Sequence, residues 1–134
     1  MGETNTDRVR RVIDAFNRGE PEAALDEAVD DFVMDWSNSI GPLRGVYRGK
    51  DEVLQVWSTF MEAFEWVSWE PKEIIEVDES TVVVVNQVRM RGRGSGVDVD
   101  AVGAQVWRVT HEGKGRSVKL YQSKAEALEA VRAG

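Results

Sequence analysis

Residues 89–107 read RMRGRGSGVDVDAVGAQVW. Two runs of alternating character flank the quartet RGSG, which is the pattern of a β-hairpin. If Arg93–Gly96 is a four-residue turn, Gly92 sits opposite Val97, Arg91 faces Asp98 and Arg89 faces Asp100 on one sheet face. The same stretch could instead be a basic, glycine-rich loop that holds phosphate. Such loops need a strand-to-helix context that is missing here, so the ion-pair reading prevails. Exposed cross-strand pairs contribute only about 0.2–1 kcal/mol each. Their use is to fix register and discourage edge pairing.

That register sets the rest of the hairpin. Met90 with Val99, Val88 with Ala101, Asn86 with Gly103, Val84 with Gln105 and Val82 with Trp107 share the opposite face. Asn86 and Gln105, two amides among Val and Trp, are therefore candidate polar groups of a pocket. Away from the turn the arginine face becomes apolar, where Val85 meets Ala104 and Val83 meets Val106. A sheet apolar on both faces needs two covers, which predicts helices on one side and a second copy of the chain on the other. Lysines at Val83 and Val85 would then yield monomers.

Working outward, Val9, Val12, Ile13 and Phe16 form the stripe of an amphipathic helix over about residues 6–18, stopped by Gly19. Pro21 opens a second, short helix with Ala24, Leu25 and Ala28 on its apolar face. FVMDWS (32–37) alternates as a half-buried strand, with Trp36 and Asn38 toward the core and Asp35 away from it. After the loop SIGPLRGVYRG, the segment KDEVLQVWSTFMEAF predicts a third helix with Val53, Val56, Trp57, Phe60 and Phe64 on one face. From Trp66 the period becomes two, giving four strands joined by turns near 78–80, 93–96 and 112–115. Ser123 with Glu126 forms a capping box for a terminal helix. Helices first and an antiparallel sheet after them predict a single α+β domain over 1–134.

Composition narrows the partners. The chain carries 17 basic and 24 acidic residues, a net charge of -7, which argues against a nucleic-acid partner. It has no cysteine, so disulfides, thiolate metal sites and cysteine nucleophiles are excluded, and a reducing cytoplasm is the expected compartment. No apolar leader opens it and no run of roughly 18 apolar residues occurs, so no membrane partner is expected. His111, the only histidine, falls in the turn THEGKG, and no triad or histidine metal cluster can be assembled around it. No cofactor or metal motif is visible.

The helix pair around NRGE, the strand FVMDW, GVYRGKDEV leading into a Trp-bearing helix, the hairpin RGRGSGVDVDA, the strand AQVWRV and the tail YQSKAEALEA together carry a resemblance. The chain resembles the SnoaL-like branch of the NTF2-like superfamily, relatives of polyketide cyclases and ketosteroid isomerases. The resemblance implies a cone, with a curved sheet wrapped around helices, a deep apolar pocket, and commonly a homodimer through the sheet. In the isomerases a helix tyrosine and a strand acid form an oxyanion hole and a strand-one aspartate takes the proton. Matching NRGE and WRV puts Val12 at the tyrosine and Gln105 at the strand acid, with the base at or near Trp36 and Asp35 one position off. Valine cannot donate a hydrogen bond and tryptophan cannot take a proton, which argues against that chemistry. Gln105 can still donate to a ligand carbonyl. The family's epoxide hydrolases use an Asp, Arg, Asp relay. Asp100 and Arg89 supply those residue types, but on the face opposite Gln105.

The candidate catalytic residues are thus Gln105, Asp35 and Asp100. Trp36, Asn38, Trp57, Phe60, Val84, Asn86 and Trp107 are the candidate ligand contacts. Tyr47 is expected near the pocket mouth, and Tyr121 at the sheet interface. The functional expectation is a small, largely apolar molecule bound in the pocket, with isomerase- or cyclase-type acid/base chemistry if an aspartate enters with a raised pKa. If Asp35 and Asp100 both lie outside, a non-catalytic binding or assembly module is expected instead.

Overall fold

In the computed structural model, residues 4–39 and 43–133 are described. Ile40, Gly41 and Pro42 of the expected loop lie outside them, as do the first three residues and Gly134. Helix α1 (Asn5–Asn17) begins at Thr4, whose hydroxyl accepts from Asp7 N at 3.1 Å while the Asp7 carboxylate accepts from Thr4 N. Its apolar stripe buries Val9 and Ile13, and Gly19, at φ 74°, turns the chain out of the helix. Helix α2 (Pro21–Leu25) is shorter than expected and ends before Ala28. Ala28, expected on that helix, instead opens strand β1 (Ala28–Asp35), where it pairs with Gly115.

Strand β2 (Val46–Arg48), not foreseen within the loop, pairs with Val33–Asp35 of β1. Helix α3 (Lys50–Glu62) carries Val53, Val56 and Trp57 into the core. Phe64, expected on the same helix, begins β3 (Phe64–Asp78), because α3 closes at Ala63. Strands β4 (Thr81–Gly92), β5 (Asp98–Val109) and β6 (Gly115–Tyr121) follow, and α4 (Lys124–Ala133) ends the chain's regular structure. Ser123 Oγ accepts from Glu126 N at 3.2 Å at the start of α4.

The six strands form one curved sheet in the order β2-β1-β6-β5-β4-β3, antiparallel throughout except between β1 and β6. The β4–β5 register is the one the charges predict. Arg91 pairs with Asp98, Arg89 with Asp100, Asn86 with Gly103 and Val84 with Gln105. Arg91 Nε meets Asp98 Oδ1 at 2.7 Å, and Arg89 Nε lies 3.6 Å from Asp100 Oδ2, all exposed. Helices α1 and α3 cover the inner face, where Val82, Val84, Phe32, Met34 and Trp107 join Val9, Ile13, Val53 and Val56 in the larger core.

The outer face corrects one expectation. Val83, Ala104 and Val106 are buried there by Ala127 of the chain's own α4, with Leu128, Val131, Ile75 and Tyr121 packed around them. The second cover of this apolar strip is therefore a helix of the same chain, not another copy. Among the described residues, no helix is long and apolar enough to cross a membrane.

Candidate ligand-binding cavity

Between the inner face of the sheet and helices α1 and α3 lies a cavity of about 260 Å³. One wall is aromatic because α3 repeats large side chains at helical spacing. Trp57 and Phe60 stack at 5.5 Å, and both meet Trp69 of β3, at 5.0 and 5.9 Å between ring centroids. Phe16 from α1 packs on Trp57 at 4.4 Å, and Trp36, just past the end of β1, sets its edge on Phe60 at 5.4 Å. Such tilted and edge-on contacts add about 0.5–1.5 kcal/mol per pair beyond area burial. The opposite wall is the sheet itself, with Val88 and Met90 from β4, Gln105 and Trp107 from β5, and Leu120 from β6.

Trp69 sits on the edge strand of the sheet, and its backbone is held from outside. Asn17, the last residue of α1, donates from Nδ2 to Trp69 O at 2.7 Å and accepts from Trp69 N at 2.8 Å. One side-chain amide thus does for this residue what a neighbouring strand would do. Asn17→Ala is expected to lower stability by about 1 kcal/mol. Its signature would be faster hydrogen exchange at the Trp69 amide than at the amides of the central strands, read by amide exchange NMR.

The main polar group of the sheet wall is Gln105. Its Oε1 accepts from Trp107 Nε1 at 3.1 Å, two residues along the same strand face, and from Asn86 Nδ2 at 3.1 Å across the β4–β5 pair. Asn86 lies opposite Gly103, which has no side chain, so its amide is free to lean toward Gln105. Asn86 Oδ1 and Trp57 Nε1 are buried without a hydrogen-bond partner among the described residues.

Of the candidates named from sequence, Gln105, Trp36, Trp57, Phe60 and Trp107 line this cavity together. Val84 and Asn86 share its face but lie beneath the wall, fully buried, so they support lining residues and do not themselves line it. Asn38 is a correction: β1 ends at Asp35, and a turn closed by Ser39 N on Trp36 O at 3.0 Å breaks the alternation. Asn38 is exposed; its Nδ2 donates to Leu120 O at 3.3 Å and its carbonyl accepts from Gln122 Nε2 at 2.6 Å.

Neither candidate aspartate reaches the cavity. Asp35 lies on the outer face, accepting from Ser37 N at 2.9 Å with Lys119 Nζ 3.7 Å away. Partial burial pushes its carboxyl up, but the hydrogen bonds from Ser37 and the Lys119 ammonium outweigh this and hold it below the usual carboxylate range. Asp100 is exposed on the outer face, bonded by Gln87 and facing Arg89. Among the described lining residues there is no carboxylate, imidazole, ammonium or guanidinium. Among the described residues no group of three or more His, Asp or Glu could hold a metal ion.

A family model described as the SnoaL-like domain matches residues 9–118, from α1 through β6. The chain belongs to the SnoaL-like family. Solved structures share the SnoaL-like fold over nearly the whole chain. An NTF2-like protein of unknown function from Burkholderia pseudomallei is 22% identical with a TM-score of 0.79, covering 96% of this chain and 97% of that one. A Mycobacterium tuberculosis protein in complex with estradiol-17β-hemisuccinate is 16% identical, TM-score 0.77, over 92% and 97%. A putative SnoaL-like polyketide cyclase from Shewanella denitrificans is 11% identical, TM-score 0.73, over 97% and 98%. No curated protein matches the chain.

Sequence reasoning about this SnoaL-like chain missed much of the wall, including Phe16, Trp69 and Leu120, put Tyr121 at the sheet interface although it also lines the cavity, and missed one brace. Met34, Val88 and Met90 had the right parity, but they are apolar residues with nothing to set them apart from core. Asn17 read only as the polar end of a helix. Tyr47, expected near the mouth, donates its hydroxyl to Leu43 O at 2.6 Å and sets its ring edge-on to Trp36.

Proposed function

We propose that this chain binds a small, largely apolar, uncharged molecule in the cavity, with Gln105 as its polar contact. The observation that carries this reading is the lining: an aromatic wall and an amide, with no carboxylate, imidazole, ammonium or guanidinium among the described lining residues. A cavity so built gains affinity from apolar burial and orientation from a few polar groups. Acid/base chemistry of the isomerase or cyclase kind would need a carboxylate inside. Bringing Asp100 in would take a one-residue slip of β5, which would also turn Val99, Gln105 and Trp107 of the same strand outward. The complex of the similar Mycobacterium tuberculosis protein with estradiol-17β-hemisuccinate supports a ring-bearing ligand. The family's fold hosts unlike activities, so the cavity and not the fold bears the argument.

The same reading includes a homodimer through the part of the outer face that α4 leaves open. Trp66 (42% exposed) and Val102 (56% exposed) stand there beside the Arg89–Asp100 and Arg91–Asp98 pairs. Native mass spectrometry of the purified protein tests both parts. The expected spectrum is a dimer that releases a neutral, apolar molecule on denaturation. Release of a polyanionic or metal-containing species would overturn the cavity reading, and a monomer mass at micromolar concentration would remove the dimer.

A further inference from the structure

Gln105 has a fixed polarity, and the residue that fixes it is Trp107. An indole N–H donates and cannot accept. The atom of Gln105 that it meets at 3.1 Å is therefore the amide oxygen, Oε1. Asn86 Nδ2 reaches the same oxygen at 3.1 Å, so Oε1 carries two donors. The Nε2 group of Gln105 is left with two N–H donors and no partner among the described residues, on a side chain that lines the cavity. Turning the Gln105 amide over would set its amino group against two donors. Turning Asn86 over would set two oxygens against each other. Asn86 accordingly keeps its amino group toward Gln105, although this leaves its Oδ1 buried without a partner among the described residues. An unpaired buried acceptor is destabilising, so the arrangement is held against a cost.

We infer that the Trp107–Gln105–Asn86 lock makes this part of the cavity donor-only, selecting a neutral ring-bearing molecule whose polar end is a hydrogen-bond acceptor such as a carbonyl oxygen. This rests on the reading of the cavity as a ligand site. A ligand that brings an N–H to Gln105 would meet donors on both sides and bury its own donor unpaired. Gln122, the other amide of the lining, is exposed and can be satisfied by water, so it sets no such demand.

The test uses three bicyclic probes of nearly one shape: indane with no polar atom, 1-indanone with an acceptor, and indole with a donor. Each is titrated into the 15N-labelled protein and followed by the indole N–H signals of Trp57 and Trp107 and by the Gln105 side-chain amide, assigned by its absence in Gln105→Leu. The expected result is that all three move the indole signals and that 1-indanone binds about 3- to 10-fold tighter than the other two. Only 1-indanone should move the Gln105 amide strongly. In Gln105→Leu that advantage should vanish, and in Gln105→Glu, where a carboxylate accepts the two donors and offers its second oxygen to the cavity, indole should overtake 1-indanone. Equal affinities for the three probes in the unmodified protein would overturn the lock while leaving the cavity reading in place. If none of them moves a cavity signal, the cavity reading fails and the inference with it. The unmodified protein alone decides between these outcomes, should either variant fold poorly.

Discussion

Val88→Trp is expected to abolish ligand uptake while leaving the fold intact. Val88 lies on the inner face of β4, between Trp69 of β3 and Ala101 of β5, and its side chain forms part of the cavity wall. In a packed core a larger side chain forces its neighbours off their rotamers at about 1–3 kcal/mol. Here the added indole has a void of about 260 Å³ to enter, so the usual overpacking cost should be small. What it removes is the space that a ligand would occupy. The affinity for whatever molecule is recovered from the purified protein should fall by about 100-fold or more, equivalent to roughly 2.7 kcal/mol. Calorimetric titration measures the affinity, and thermal unfolding of the ligand-free variant checks the fold. Undiminished affinity in a folded variant would place the ligand outside this cavity.

Which side chains share a face was readable from sequence, and how deep they sit was not. Turn length and two opposite-charge pairs were enough to fix the β4–β5 register, since slipping it by one would have exchanged the apolar and charged faces. Parity then put Gln105 and Trp107 on the cavity face. The same parity could not tell them from Val84 and Asn86, which face the same way but are buried beneath the wall, because depth follows from sheet curvature and helix placement. Asn38 failed for a simpler reason: alternation was extended past the strand's end into a turn. Strand β2 was invisible because three residues are too few to show a period. Ala28 and Phe64 continued a helical stripe in sequence but were claimed by strand pairing with β6 and β4.

The misassigned cover of the outer face leads to the largest expected loss of stability. An apolar outer face was evident from Val83, Val85, Ala104 and Val106, and so was a helix near the C-terminus, but no local pattern says which of two covers a face receives. Val83 is 0% exposed, pairs with Val106 and Ile75, and lies in the cluster that Ala127 of α4 completes. Val83→Lys is therefore expected to disrupt the chain's own packing and not merely to separate subunits. An ammonium placed in an apolar cluster must stay buried, deprotonate or push α4 aside, and the expected loss is about 3 kcal/mol or more. For a domain of this length that corresponds to a fall of roughly 10 °C in Tm. Val102→Lys is the matching control, since Val102 belongs to the same face but is 56% exposed beyond the α4 cluster. It should change stability by no more than about 0.5 kcal/mol. Chemical denaturation of both variants, with native mass spectrometry beside it, separates the two roles of this face. Loss of stability at Val83 with little change at Val102 follows from α4 as the cover, whereas a fully stable Val83→Lys monomer would return that strip to the subunit interface.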